Sequence, residues 1–421
     1  MLHPLHHATR PLTCYTPLPC IVALPGANLA PLYDLLLSHR PLATAAHLTP
    51  DVVVHVGARL VSKRLASYLE SSSVTTYLMV EEHGDRADPS HCVTHRLHGD
   101  VAALLAALAA GLGPAAAAPP VPPNPLLRLC AASRALERAL EPALLAAAAA
   151  AEVAAAEGAA EGEGEAAAEA AACCLEVCVA RHVCSLLTAA EVAAAGGAGG
   201  EGGEGGEGGE GGEGSEGGAA AERPERVLFV SNSLPIRHLD GACAHTPLVL
   251  SSRGASGIDG ILHTAIGAAI GTPAGCTLLI GDLASMHDLN GLALLAQLKP
   301  SLVVVILNNS GGGIFRYLPI AQHADVYSPY FDTPHSLRFG QVCRGFGLPY
   351  ELATDTAGFK RAYAAALAGR GPSVVEVITD KEENLRARDA LCEAAAAAAQ
   401  QMLSEMGEMG EIAPEIAPRG D

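Results

Sequence analysis

Asp282, Asn309 and the run Gly311-Gly312-Gly313 are the residues of this chain whose types and spacing carry the clearest chemistry. The carboxylate follows the short apolar run Thr277-Leu278-Leu279-Ile280-Gly281, and the amide closes the longer β-branched run from Leu302 to Leu307, 27 positions after the acid. Both runs suit buried parallel strands, and Leu289 to Leu298 between them has helical apolar spacing, so a βαβ crossover is the economical reading. That crossover places Asp282 in a loop after one strand and Asn309 after its neighbour. Two oxygen donors at the carboxyl ends of paired strands suit Mg²⁺ holding a diphosphate. Three consecutive glycines let backbone amides and carbonyls approach the ion and the phosphates closely. Gly-Asp and Asn-Asn pairs are common separately, so an α/β domain with a merely polar loop competes with this reading until other stretches are weighed.

Those donors need a scaffold, and the surrounding sequence supplies one. Arg226 to Val230 reads as a strand, Leu248 to Ser251 as the next, Ile261 to Ile270 as a helix and Val374 to Ile378 as a last strand. Upstream, Asp51 to Gly57 is a strand leading into a loop, Val61 to Leu69 an amphipathic helix, Thr76 to Val80 a strand, and Val101 to Leu112 a helix stopped by Gly113 and Pro114. The fold class expected is α/β: two doubly wound parallel-sheet domains joined by a low-complexity insert. The first occupies 1–114, and the linker helices and insert 115–223. The second spans 224–391, and a flexible tail 392–421. Within the insert, Leu126 to Leu145 and Cys174 to Leu187 keep helical periodicity, whereas Gly196 to Gly218 is a Gly-Gly-Glu repeat with nothing to bury and is expected to be disordered.

Composition narrows the function classes. The formal charge is −19, but fifteen glutamates against one base, Arg181, put −14 of it between Glu152 and Glu222, leaving −5 elsewhere. A chain without a basic patch is a poor nucleic-acid binder, so nucleic acid is excluded as partner and small anions remain. Twelve cysteines without C-x-x-C spacing read as buried free thiols in a reducing compartment rather than a metal cage. No apolar run has the length and bulk of a membrane span.

The Gly-Asp pair, with Asn-Asn about thirty residues on, resembles the thiamine-diphosphate signature of the decarboxylase and carboligase superfamily. Leu283 stands where that superfamily usually has glycine, a departure that resembles the 2-succinyl-5-enolpyruvyl-6-hydroxy-3-cyclohexene-1-carboxylate synthase family of menaquinone and phylloquinone biosynthesis. Gly57-Ala58-Arg59-Leu60, Ser62-Lys63-Arg64-Leu65 and Asp85-Arg86-x-Asp88-Pro89 resemble the middle domain of that family. Ser231-Asn232-Ser233-Leu234-Pro235-Ile236-Arg237 and Arg253-Gly254-Ala255-Ser256-Gly257-Ile258-Asp259-Gly260 resemble its cofactor domain, so both sheets are expected to be of the thiamine-diphosphate enzyme type.

The resemblance implies roles. Asp282, Asn309 and the Gly311 carbonyl would ligate Mg²⁺, with Gly281, Leu283 and Ile314 beside the cofactor and Ile258 beneath it. Lys63, Arg64, Arg237 and Arg253 would orient substrate carboxylates, with Ser233 as hydroxyl donor and Phe315 and Leu318 as apolar wall. Ser233 and Arg237 lie one turn apart if the helix starts at Asn232. The implied reaction is decarboxylation of 2-oxoglutarate and addition of the succinyl-semialdehyde carbanion to isochorismate. Family enzymes draw an activating glutamate from a pyrimidine-binding domain, and no stretch here has that pattern; Glu81 and Glu82 do not resemble it. No catalytic residue is therefore assigned, and the chain alone is expected to be inert, with a homo-oligomer or a separate pyrimidine-binding domain as partner. An acetolactate-synthase-like carboligase and a non-catalytic subunit are the alternatives. The compartment expected is the plastid for a phototrophic eukaryote and the cytoplasm otherwise.

Overall fold

The computed structural model describes residues 32–43, 48–56, 62–72, 74–82, 88–112, 131–140, 142–144, 174–196, 226–243, 247–253 and 255–410, with a few single positions between. The Gly-Gly-Glu repeat from 197 onward and the motif residues Gly57, Ala58, Arg59, Asp85, Arg86 and Gly254 lie outside the described residues.

Both sheets are parallel throughout. Strands β1 (Val52–Val56), β2 (Thr76–Glu81) and β3 (His95–His98) form a three-stranded sheet in chain order. The larger sheet comprises β4 (Val227–Val230), β5 (Val249–Ser251), β6 (Cys276–Gly281), β7 (Leu302–Asn308), β8 (Tyr350–Ala353) and β9 (Ser373–Ile378), ordered β5-β4-β6-β7-β9-β8. After β5 the chain returns to the far side of β4 to lay down β6, so the winding reverses between β4 and β6. In open α/β sheets that reversal opens a crevice at the carboxyl ends of the strands.

The period of two along each strand feeds two cores. Leu228, Val230, Leu279, Val303, Val305, Leu307, Val375 and Val377 pack on one face with Val179, Val183 and Leu187 of the helix Glu176–Gly196. Phe229, Leu278, Ile280, Val304 and Ile306 pack on the other with Ile261, Leu262 and Ile266 of the helix Ile261–Gly271. Every residue of β7 is buried, as a central strand covered on both faces requires.

Two expectations are corrected. The stretch after Gly281 is not a loop, because Asp282 opens a short helix, Asp282–His287, before the helix Gly291–Leu298. Nor is 392–421 flexible from its start: one helix runs Lys381–Gly410, and Leu391, Ala395, Ala399 and Met402 are buried against Leu36, Leu42, Leu136 and Leu140. Alanine there is a contact residue whose small side chain lets the helix pack closely. Among the described residues, no helix is long and apolar enough to cross a membrane.

A buried carboxylate braces the far side of the sheet. Glu376 of β9 accepts hydrogen bonds from Asn308 Nδ2 (2.6 Å), Phe339 N (2.8 Å) and the Tyr350 hydroxyl (2.7 Å). Burial, then the bond to Glu376 and its charge, push the Tyr350 phenol far above its usual range. Glu376→Ala deprives three donors of their acceptor, the buried Asn308 and Phe339 N–H groups and the half-buried Tyr350 hydroxyl, at about 1–3 kcal/mol for each left unpaired. A loss of at least roughly 3 kcal/mol in urea unfolding is expected, and a loss under about 1 kcal/mol would show that the three donors find other partners.

Candidate functional site

The β6–β7 register, Gly281 against Leu307, brings Asp282 and Asn309 to the same edge of the sheet, as the crossover reading expects. Asp282 is 2% exposed. Its Oδ1 accepts from Leu283 N (2.6 Å), and its Oδ2 accepts from Gly311 N (3.0 Å) and His335 Nε2 (3.1 Å). Leu337 N–H donates to His335 Nδ1, so the ring proton sits on Nε2 and points at Asp282. A carboxylate offers about four acceptor positions. With three taken, Asp282 retains one for a ligand.

Asn309 shows the complementary feature. Its Nδ2 donates to Glu176 Oε1 at 2.7 Å, while its Oδ1 is buried with no hydrogen-bond partner. A buried amide oxygen without a donor costs free energy unless something electropositive meets it. A hard cation fits that demand, so the residues present suit Mg²⁺. Among the described residues no group of three His, Cys, Asp or Glu side chains could hold a metal. The donor set here is instead one carboxylate, one amide and backbone.

The glycine run is shaped by close approach. Gly311 has φ +146°, and a Cβ there would stand 2.2 Å from Asp332 O, while one on Gly313 would stand 2.8 Å from Asn309 Nδ2. Gly312 N donates to Asp332 O (2.6 Å), and Lys381 Nζ donates to Ser310 O (3.1 Å) and Asp332 Oδ1 (2.6 Å). The Gly311 carbonyl accepts from Gly313 N at 3.1 Å and keeps a second lone pair.

A second group of expected residues faces a cavity of about 840 Å³, lined among others by Lys63, Arg64, Arg237, Ile314, Phe315 and Leu318. Lys63 and Arg64 come from the first turn of the helix Lys63–Ser71, which Ser62 caps by accepting from Leu65 N (2.9 Å). Arg64 is paired with Asp34, which also accepts from Ser62. Arg237 lies on the helix Leu234–Ala242, which begins at Leu234 rather than Asn232, and its Nη1 donates to the Ser233 carbonyl at 2.6 Å. Ser233 is the residue before that helix and holds φ +73°, strain of the kind that marks functional turns. Burial first, then the charge of Arg253, depress the Arg237 guanidinium.

Ser233, Arg253 and Ile258 do not line this cavity. Arg253 Nη1 donates to Asn232 Oδ1 (2.9 Å), and Asn232 Nδ2 donates to the carbonyls of Gly257 (2.8 Å) and Ser252 (3.2 Å), so one buried amide at the end of β4 holds the Arg253 and Ile258 segment. Ile258 is 38% exposed. Gly281 and Leu283 flank Asp282.

Sequence reasoning missed Glu176, His335, Asp288 and Asp240. Asp288 Oδ2 accepts from Leu262 N (2.7 Å) and His263 N (3.2 Å), capping the helix Ile261–Gly271 from a distant loop. Asp240, 4% exposed, lines the cavity and accepts from the Tyr33 hydroxyl at 2.9 Å. Burial, reinforced by Asp34, pushes its carboxyl up to about 7 against the pull of Tyr33, Arg237 and Arg253. No local signal marks these residues, since the contacts that tie them to the site or cavity span 25 or more positions and only the folded chain joins them.

Two family models match. Residues 23–117 match the model described as "Middle domain of thiamine pyrophosphate", and 243–377 match "Thiamine pyrophosphate enzyme, C-terminal TPP binding domain". The chain is 37% identical over 359 residues to the 2-succinyl-5-enolpyruvyl-6-hydroxy-3-cyclohexene-1-carboxylate synthase of Rubrobacter xylanophilus, covering 85% of this chain and 51% of the relative. It is 33% identical over 364 residues to the like-named protein of Chlorobium chlorochromatii, covering 86% and 51% respectively. To that of Shewanella loihica it is 46% identical over 166 residues, covering 39% of this chain and 29% of the relative. The chain thus spans about half the length of the first two of these.

The raised Asp240 carboxyl sets a pH dependence. In the unfolded chain an aspartate titrates near ~3.9, so between about pH 4 and about pH 7 the folded protein holds a proton that the unfolded chain has lost. Stability from this group is full below about pH 4 and is lost as pH rises to about 7. Asp240→Asn should therefore gain stability relative to the unaltered chain as pH rises from 5 to 8, by on the order of 3 kcal/mol. Urea unfolding at the two pH values reads this directly; an equal gap at both would refute the assignment.

Proposed function

We propose, from the match of residues 23–117 and 243–377 to the middle and C-terminal TPP binding domains of thiamine pyrophosphate enzymes, that this chain holds thiamine diphosphate and Mg²⁺ and serves a carboligase of menaquinone or phylloquinone biosynthesis. The reaction proposed is that of 2-succinyl-5-enolpyruvyl-6-hydroxy-3-cyclohexene-1-carboxylate synthase: 2-oxoglutarate loses CO₂ and the remaining four-carbon unit joins isochorismate. The names of the relatives support the reaction class. The observation that carries the cofactor reading is the unpartnered buried Asn309 Oδ1 beside the Asp282 carboxylate, at the carboxyl ends of adjacent strands.

In this reading Asp282, Asn309 Oδ1 and the Gly311 carbonyl hold the cation, which in turn holds the diphosphate. Bound thiamine diphosphate would supply the nucleophilic carbon and the electron sink for carboxylate loss. The chain's own residues bind and orient. Lys63 and Arg237 present positive charge to the cavity, and Arg64 does so from its pair with Asp34, which suits substrates bearing several carboxylates. Arg40 and Arg388, which the motifs did not mark, line the same cavity. Ile314, Phe315 and Leu318 add an apolar wall that thins the water around those charges, and Phe315 is braced edge-on by Phe331 with ring centroids 5.3 Å apart.

Asp282→Ala removes the only formal charge among the proposed protein ligands, so Mg²⁺-dependent thiamine diphosphate binding should vanish in calorimetric titrations. Unchanged affinity would sink the metal assignment. Arg237→Ala and Arg253→Ala, in enzyme completed with a pyrimidine-binding domain, should weaken 2-oxoglutarate or isochorismate roughly 10- to 100-fold, a charged hydrogen bond being worth about 1.5–3 kcal/mol. Thiamine diphosphate should be weakened much less; equal losses for substrate and cofactor would mean that these arginines are structural.

A further inference from the structure

The Asn309 amide does not orient itself. Its Nδ2 is held by Glu176 Oε1 at 2.7 Å, and the same oxygen accepts from the Thr379 hydroxyl at 3.1 Å. The other oxygen, Oε2, accepts from His238 Nε2 at 3.0 Å, and Glu176 N is in turn anchored on Asn384 Oδ1 at 2.8 Å. Glu176 is 1% exposed, and both of its oxygens are occupied. An ionised carboxylate only accepts, so the group that Asn309 turns toward it must be the NH₂. The amide oxygen is left facing the other way, buried and without a donor.

Neither Glu176 nor the residues that anchor it after β9 fall within the two matched stretches, which cover 23–117 and 243–377. Glu176 begins a helix within the acidic insert; Thr379 and Asn384 stand at the junction of β9 and the helix Lys381–Gly410. His238 lines the cavity that carries Lys63 and Arg237. With both oxygens engaged and its backbone N–H anchored, Glu176 is a fixed acceptor post between the cavity wall and the proposed metal ligands.

We propose that Glu176 is a positioning residue for the cation: by capturing the Asn309 NH₂ group it commits the amide oxygen to the metal, and through His238 it ties that ligand to the wall of the substrate cavity. The proposal rests on the cofactor reading above and adds a residue that the motifs of the cofactor domain do not contain. Outer-shell partners of this kind, which fix the orientation of a ligand, typically change metal affinity 10- to 100-fold when removed.

The test uses the full chain with Mn²⁺ as the probe cation and thiamine diphosphate present, with free Mn²⁺ counted by electron paramagnetic resonance. Glu176→Ala should weaken Mn²⁺ about 10- to 100-fold, and Glu176→Gln, which keeps an acceptor for Asn309, should recover most of that loss. A general structural role is separated by repeating the change in an Asn309→Asp background. There a carboxylate presents an oxygen to the cation whichever way it turns, so Glu176→Ala should cost nothing further or should tighten binding by removing a repelling charge. Should Glu176→Ala fail to fold, Glu176→Leu, which refills the volume without an acceptor, carries the same expectations. An unchanged Mn²⁺ affinity in Glu176→Ala or Glu176→Leu, or the same loss with Asp at 309 as with Asn, would overturn the proposal while leaving the cofactor reading standing. Absence of Mn²⁺ and thiamine diphosphate binding by the unaltered chain would overturn both.

Discussion

The pairing of β6 with β7 is the constraint on which the site depends. Six residues of each strand run in parallel register from Cys276 against Leu302 to Gly281 against Leu307, and every one of them except Gly281 is buried. A slip of one residue would exchange the two faces, turning Val303, Val305 and Leu307 out of one core and Val304 and Ile306 out of the other. It would also carry Asn309 away from Asp282. Packing of apolar side chains, a term with no chemical specificity, thus fixes the mutual position of the two polar groups proposed to hold the cation.

The site is built from buried polar groups, and each is compensated in a different way. Glu176 is satisfied by three side-chain donors, and Glu376 by Asn308, Phe339 and Tyr350. Asp282 has backbone N–H donors and a neutral His335. Asp240 is compensated least, with one hydroxyl donor and a like charge near it, and its carboxyl rises to about 7 as a result. Asn308 and Asn309, adjacent in sequence, divide the labour: the first bonds Glu376 and the Leu337 carbonyl as scaffold, and the second leaves its oxygen unused. A dipeptide motif conceals that division, because nothing in the letters Asn-Asn says which amide turns inward.

What the sequence made legible followed from local periodicity and from motifs. The apolar runs locate β4, β6, β7 and β9 to within a residue or so, since a strand buried on both faces leaves a dense apolar signature that a single Thr277 or Glu376 does not hide. β3 was not legible: His95-Arg96-Leu97-His98 has no such signature, being largely exposed and held through its backbone pairing with β2. The edge strand β8 escaped for the same reason. The Leu283-Ala284-Ser285-Met286-His287 segment is too short for its helical period to show, so from sequence Asp282 reads as a loop residue. Alanine misled at the end of the chain, where low complexity concealed a helix whose small residues pack. Glu176 counts among the acidic residues of the insert, yet it is 1% exposed, between the buried Leu175 and Val177.

That last placement changes how the region between the two matched domains is understood. Leu136 and Leu140 from the linker helix, Leu175 and Val177 around Glu176, and Leu391, Ala395 and Met402 from the final helix share one core with Leu36 and Leu65 near the cavity. Each of these segments is short of apolar surface by itself, and together they bury what none could bury alone. Their shared packing carries Glu176 to within 2.7 Å of Asn309 and brings Lys63 and Arg64 to the same cavity as Arg237. The helices outside the matched domains therefore do more than connect: they supply the carboxylate contact that holds the amide of a proposed metal ligand, and they share the core from which the cavity's cations project.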